Sequence, residues 1–522
     1  MTVSGPPAST MAADAPDRRW WTLGAVCVAT FMLLLDITIV NVALPDIARA
    51  LGTSFTDLQW VIDAYALALA ALLLTAGSLA DLFGRRLVFV VGLALFTAAS
   101  LLCGLASSPL FLNLARAVQG VGGAAMFATS LALLAATFQG RERGTAFGIW
   151  GATTGAAVAV GPLIGGLLTE KVGWESIFLI NLPIGLAAIA VTLTRVNESR
   201  DPDAAGVDWA GLVTFSAGLF LLVFALVRGN EEGWGSPLIV SLLAGAAVLL
   251  CAFVVAERRQ ARPMFDLSLM RKPAFAGASI AAFALSASMF SMFLYLTLYI
   301  QNSLGYSPLE AGLRFLPATL LSFAVAPIAG KLSARVPARA LIGAGLMLVG
   351  VGLLLMSGLD ANSGWTALLP GFIVGGAGIG LTNPPLASTA IGVVAPARSG
   401  MASGINSTFR QVGIATGIAG LGALFQQLLQ SKVPEPLQRV PAEVLATGSP
   451  AVVGPSRAAR EAYLAAYTSA LNDLFLVGAG IAIAGGVLAA ALIRQRDFIT
   501  PQGAARAAAS PEEDTGAGRR AA

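Results

Sequence analysis

Gly77-Ser-Leu-Ala-Asp81-Leu-Phe-Gly84-Arg85-Arg86 is the stretch on which the reading of this chain turns. It follows one apolar stretch, and the uncharged run Leu87–Ala115 follows it. A bilayer core needs about 20 apolar residues per helix, so these ten residues join two membrane spans. Gly84 supplies a tight turn, and Arg85 and Arg86 anchor the loop in the cytoplasm. Asp81 is suited to latch onto helix ends or arginines in one conformation and release them in another. A simple positive anchor accounts for the two arginines, but not for Asp81 or the glycines.

Moving outward, the whole chain has the same character. Of 522 residues, 56% are hydrophobic and 11% charged, against roughly a quarter charged in a soluble domain. Uncharged runs recur along it, among them Ala117–Gly140, Gly144–Thr169, Gly233–Ala256 and Leu474–Ile493. The 58 glycines suit membrane helices, whose close approach needs small residues. With no histidine there is no His–metal site and no Ser–His pair. Cys27, Cys103 and Cys251 sit in apolar runs and read as small buried residues. Gly330-Lys331 is followed by Leu332, so no phosphate-binding loop exists. We therefore expect no metal, no cofactor, no nucleic-acid partner and no enzymatic activity.

We count fourteen spans, starting near residues 21, 58, 87, 110, 144, 176, 209, 236, 274, 308, 339, 364, 399 and 470. Twenty-two of the 32 lysines and arginines fall on one side of that arrangement, which places both termini in the cytoplasm. Trp60, Trp174, Trp234 and Trp365 are expected at outer ends, and Trp20, Trp21 and Trp209 at inner ones. The expected division is a tail over 1–19, a six-helix half over 20–196, a two-helix insert with its linker over 197–257, a second six-helix half over 258–493 with a long outer loop at about 425–469, and a tail over 494–522. Gly330, Leu332 and Arg339 repeat the offsets of Gly77, Leu79 and Arg86, as two parallel halves would require.

The Gly77–Arg86 loop resembles the signature of the major facilitator superfamily. Leu35-Asp36-Ile-Thr-Ile-Val-Asn-Val-Ala-Leu-Pro45 is similar to the first-span signature of its fourteen-helix drug/proton antiporters. Leu112, Arg116, Gln119, Gly120 and Gly122 resemble the fourth-span motif, and Gly161-Pro162-x-x-Gly165-Gly166 the fifth-span antiporter motif. Trp174–Gly185 resembles the stretch that opens span six. Ala157 and Glu175 depart from the family pattern, which usually has Gly and Arg there. The resemblance covers about residues 20–495 and implies an all-α major facilitator fold. It further implies a conformational hinge at Gly161, Pro162, Gly165 and Gly166, and export.

The charges inside the spans are the candidate site. A charge at a helix centre costs about 2.5–3.5 kcal/mol on insertion scales, which marks Asp36 and Arg116 as functional candidates. At about 1.5 Å per residue, Asp36, Asp63 and Arg116 lie roughly 14, 9 and 9–10 Å below the outer ends of their spans. Two proton-accepting carboxylates tuned by an arginine are the functional reading. A structural Asp36–Arg116 pair and a merely solvated Asp63 are the alternatives. The resemblance also assigns Asp63 to cationic substrates. Arg410, Met289 and Phe293 are cavity candidates, whereas Ser307, Glu310 and Arg314 read as a capping box with an i,i+4 pair.

The expectation is a proton-coupled exporter of hydrophobic, amphipathic or cationic drugs in a bacterial cytoplasmic membrane. Its partners are protons, drug-like substrates and the lipid bilayer, and it works as a monomer. A lipid or small-metabolite carrier on the same fold, or a membrane sensor, are the rivals.

Overall fold

In a bilayer, uncharged runs satisfy their backbone polar groups by closing into helices. The computed structural model describes residues 16–498, apart from 53–54, 139, 201–207, 261–262, 264, 395–397 and 455; a few side chains within helices, those of Asp63 and Pro162 included, also lie outside the described residues. Fourteen long helices follow in order: α1 (Pro16–Leu51), α2 (Phe55–Phe83), α3 (Arg85–Gly104), α4 (Pro109–Thr137), α5 (Gly140–Lys171), α6 (Ser176–Arg195), α7 (Trp209–Glu232), α8 (Pro237–Arg259), α9 (Pro273–Ser303), α10 (Pro308–Leu332), α11 (Ala338–Met356), α12 (Leu369–Gly392), α13 (Ser399–Lys432) and α14 (Arg457–Leu492). Counted over the described residues alone, thirteen of them are long and apolar enough by length and composition to cross a membrane. Among the described residues there is no strand.

Local chemistry sets the helix ends. Ser108, Ser236 and Ser307 each accept a bond from a first-turn amide, and each is followed by a proline at the first helical position. Ser307 and Glu310 form the expected capping box. Alternation up and down brings both described ends of the chain to one end of the bundle, with the turns after α2, α4, α6, α8, α10 and α12. We call this the basic end.

Two ends differ from expectation. α13 continues to Lys432 and α14 begins at Arg457, where a loop over about 425–469 was expected. Hydropathy marks where the apolar core begins, whereas Ser456 caps α14 well before it and an Arg457–Glu461 pair at 2.8 Å supports the polar first turns. The segment between α13 and α14 is tied down as well at Leu445 and Gly448: Tyr463 Oη donates to Leu445 O at 2.6 Å, and Ser303 Oγ to Gly448 O at 2.9 Å. Trp174, expected in an interfacial belt, is buried edge-on against Phe178. Cys251, expected inside, is exposed on the outer face of α8.

The halves meet through α2 on α13 and α5 on α10. At the basic end these contacts are backbone on backbone: a Cβ on Gly77 would strike the carbonyl of Gly400, and one on Gly144 that of Gly330. The repeated glycines Gly77 and Gly330 thus do the same job in the two halves. The insert, α7 with α8, packs on α2 and α13, with Thr75 Oγ1 2.9 Å from Ser216 Oγ and the Trp60 and Phe224 rings 5.5 Å apart.

Candidate functional site

α1, α3, α4 and α6 bring a polar cluster together inside the first half. Asp36 and Arg116 are each 1% exposed. Arg116 Nη1 donates to Asp36 Oδ2 at 2.5 Å and to Gln119 Oε1 at 2.7 Å, while its Nε donates to the carbonyl of Val61 at 2.8 Å. Gln119 Nε2 and Asn181 Nδ2 donate to the other carboxylate oxygen, Oδ1, at 2.9 and 3.2 Å. Ser100 Oγ ties these amides together, accepting from Gln119 at 3.2 Å and Asn181 at 2.9 Å. The guanidinium lies 4.3 Å from the Tyr65 ring centroid and 5.8 Å from that of Phe178. A buried carboxylate holding three donors is a charge whose neutralisation rearranges its surroundings. Asn181 Oδ1 has no hydrogen-bond partner among the described residues.

The glycines of α5 explain how this cluster touches the rest of the fold. A Cβ on Gly161 would overlap Thr38 Oγ1, and one on Gly165 would lie 2.8 Å from Ile39 Cγ1. α5 therefore lies directly against α1 within three residues of Asp36. Gly166 is different, with only Leu309 Cβ at 3.9 Å, across the divide between halves. Pro162 belongs to the same helix, but its side chain lies outside the described residues.

At the basic end, Asp81 is 7% exposed and bridges the halves. Its Oδ1 accepts from Arg85 Nε at 3.0 Å, Arg85 Nη2 at 2.8 Å and Gly400 N at 3.0 Å; its Oδ2 accepts from Met401 N at 2.8 Å. The latter two amides belong to the first turn of α13, where negative charge is favoured. Arg85, expected as a solvent-facing anchor, is only 2% exposed because it neutralises Asp81 inside the contact. Gly84 has φ 116° and leaves room for the Glu198 carboxylate, which accepts from Arg86 N at 2.9 Å and Leu87 N at 3.1 Å and so caps α3. Arg86 Nη1 donates to Val196 O at 3.1 Å.

The remaining candidates lie elsewhere. Asp63 sits on α2, but its side chain lies outside the described residues. Arg410 is buried in α13 and donates from Nη2 to Asn383 Oδ1 at 3.0 Å. Asn383 and Phe293 line a cavity of about 20 Å³ between the halves, with Thr154, Thr319 and Ser322. Met289 is fully buried on the second half's side of α9, its methyl 3.3 Å from the position of a Cβ on Gly375. Arg314 donates to the backbone carbonyl of Glu310 at 2.8 Å and stacks 3.3 Å from the Tyr306 centroid, while the Glu310 carboxylate is taken up by the capping box. No group of three or more Cys, Asp or Glu among the described residues is placed to hold a metal ion.

Sequence reasoning found Asp36 and Arg116 from their charge and quoted Gln119 with its motif. It missed Ser100, Asn181 and Tyr65. A lone asparagine in an otherwise apolar span was the available signal for Asn181.

A family model described as Major Facilitator Superfamily matches residues 26–418. Among curated proteins, the multidrug resistance protein Stp of Mycobacterium tuberculosis is 39% identical over 81% of this chain and 81% of its own length. The puromycin resistance protein pur8 of Streptomyces alboniger is 39% identical over 81% of this chain and 85% of its own. The tetracenomycin C resistance and export protein of Streptomyces glaucescens is 35% identical over 92% and 91%. Among solved structures, the human organic anion transporter MFSD10 (TETRAN) superposes with a TM-score of 0.59 at 17% identity, covering 90% of this chain and all of the other, a likeness of fold alone.

Proposed function

The chain belongs to the major facilitator superfamily, its relatives are multidrug and antibiotic resistance exporters, and from that premise we propose that it exports hydrophobic or amphipathic drugs, cationic ones included, in exchange for protons. It is a multi-pass transporter, and the proposal adds the driving ion, a monomeric working unit, a bacterial cytoplasmic membrane and a cytoplasmic basic end. The expected division into two six-helix halves and a two-helix insert is carried into this reading.

The buried Asp36–Arg116–Gln119–Asn181 network is the observation that supports it. A proton arriving at Asp36 removes the charge that holds Arg116. The guanidinium then keeps the Val61 carbonyl, Gln119 and the Tyr65 face, so the helices stay associated while their preferred spacing changes. α1 passes that change to α5 through Thr38 and Ile39, where Gly161 and Gly165 leave no slack. α5 in turn packs along α10 of the other half. Two arrangements of one contact chain, biased at one end by a proton, are what coupling requires.

The latch completes the cycle. With Asp81 on the α13 amides, the basic end is closed. Substrate entry from the cytoplasm requires those bonds to break, so Asp81 sets the population of the inward-open state. Asp63 is assigned to counter the charge of cationic substrates.

The test is drug transport by the purified protein in liposomes under an imposed pH gradient. Saturable drug movement with opposite proton movement is expected. Drug movement indifferent to the gradient would remove the proton from the proposal, and no drug movement would favour a lipid carrier or sensor.

A further inference from the structure

α13 carries a polar face that the proton pathway does not use. Ser403, Asn406, Ser407 and Arg410 recur at spacings of three, four and seven residues, so they share one side of the helix. They are 0, 1, 1 and 8% exposed. The hydroxyls of Ser403 and Ser407 and both amide atoms of Asn406 have no hydrogen-bond partner among the described residues. α9 adds to this face. Gly413 packs beside Phe283 and Ser286, and Gly417 beside Ala287 and Ser291, so α9 and α13 run in the same direction. Seven residues back, that register sets Ser279 alongside Asn406, and the hydroxyls of Ser279 and Ser286 are unpartnered too. Arg410 connects the face to the cavity between the halves through Asn383.

Buried polar side chains are almost always bonded, and a partly satisfied network is worse than an apolar one. Close packing of small residues explains the serines. It does not explain an asparagine with two donors and an acceptor all unused. The basic end is closed here, and the cavity of about 20 Å³ has room for a single water. Such groups are satisfied in another state, when the halves part and the face is wet or occupied.

Resting on the export reading, we propose that this face of α13 is the collapsed wall of the substrate site, and that it selects planar apolar molecules carrying acceptor oxygens: carbonyl, phenolate or carboxylate. The guanidinium of Arg410, the amides of Asn383 and Asn406 and the serine hydroxyls all donate. The two carboxylates seen to reach α13 among the described residues are both taken at its ends, Asp81 by Arg85 and the Gly400 and Met401 amides, and Asp473 by Lys432. Phe293, Ala318 and Ile379 supply the apolar surface of the cavity.

The test uses the full-length protein in liposomes with the membrane potential clamped and a pH gradient imposed. Two planar fluorophores serve as probes: fluorescein, an anion rich in acceptor oxygens, and ethidium, a cation with none. Arg410→Gln and Asn406→Leu should each raise KM for fluorescein about tenfold relative to that for ethidium, as loss of one charge-assisted or buried hydrogen bond implies. Ser403→Ala with Ser407→Ala should do the same more weakly. Because the readout is a ratio, a fold defect shared by both probes does not mimic it. Equal effects on both probes, or an unchanged ratio in all three variants, overturn the proposal and make the face a water-filled packing surface. If the wild type moves ethidium but not fluorescein, the inference fails while export stands. If neither probe moves, export fails, and fluorescence anisotropy decides the face: fluorescein binding weakened by Arg410→Gln upholds it, and no binding overturns it.

Discussion

Asp36→Asn removes one charge and one acceptor from the cluster and leaves its volume unchanged. In the wild type Oδ2 faces Arg116 Nη1, while Oδ1 faces two amide donors, Gln119 Nε2 and Asn181 Nδ2. An asparagine has a single side-chain oxygen, and Arg116 claims it. Its NH₂ then points at two donors. Asn181 relieves one of the two, because its Oδ1 is unpartnered and a half-turn of its amide converts a clash into a bond, while Gln119 Nε2 keeps Ser100 Oγ as its acceptor. Losing the ion pair outright costs about 3–5 kcal/mol, but here a neutral acceptor stays at Arg116 and the cost falls to the difference between a charged and a neutral hydrogen bond, about 1–2 kcal/mol. The variant should therefore fold and insert. Transport should respond far more strongly. One pH unit is worth about 1.4 kcal/mol per proton, which supports an approximately tenfold drug gradient per exchanged proton. In everted vesicles with the potential clamped, Asp36→Asn should bring that gradient to unity while drug binding persists. Undiminished accumulation per pH unit would refute the argument. Asn181→Leu combined with Asp36→Asn should lose protein yield, since that relief is gone.

Asp81→Asn weakens the bonds to Arg85 and to the α13 amides. It should lower maximal transport rate with little change in drug affinity, and a large affinity loss at normal rate would move the substrate site to this loop. Gly161→Ala should lower stability by about 1–3 kcal/mol through overpacking on Thr38; thermal unfolding in detergent should show recovery with Thr38→Gly, and its absence would mean that α5 yields elsewhere. Asp63→Asn should lose cationic drugs and keep neutral ones, measured at imposed pH gradients with the potential clamped. Equal loss of both would make Asp63 and Asp36 one proton site.

Much of the architecture was legible because a membrane leaves few ways to read an uncharged run. The same logic exposed Asp36 and Arg116, since charges inside spans stand out against their background. Ser100 does not stand out, and Asn181 does so only as a lone asparagine: the packing of α6 on α1 and α3 sets Asn181 Nδ2 on the Asp36 carboxylate, and the packing of α3 on α4 sets Ser100 Oγ to accept from the Gln119 and Asn181 amides. The sequence sets Asp81 against helix ends or arginines, but its partners on α13 are backbone amides, which no side-chain pattern announces. Arg85 misled for a related reason. Its charge pointed to water, and the structure spends it on Asp81. Early helix starts such as Arg457 were hidden because hydropathy reports the lipid, not the hydrogen-bonded helix.

The glycine contacts at the basic end bear on how quickly such a machine can turn over. Where large side chains interlock, two bodies separate only after many rotamers have cleared one another. Gly77 against Gly400 and Gly144 against Gly330 present bare peptide planes instead. Facets of that kind part without any side chain being withdrawn, and they come together again in the same register. In the proposed cycle the closed state then rests on a handful of directional bonds around Asp81, each broken by a movement of about an ångström. A smooth seam with a small clasp keeps the resting state distinct while leaving its escape barrier low. A methyl group at any of these four positions would harm opening and closing alike, by holding the facets apart and roughening the surface on which they meet.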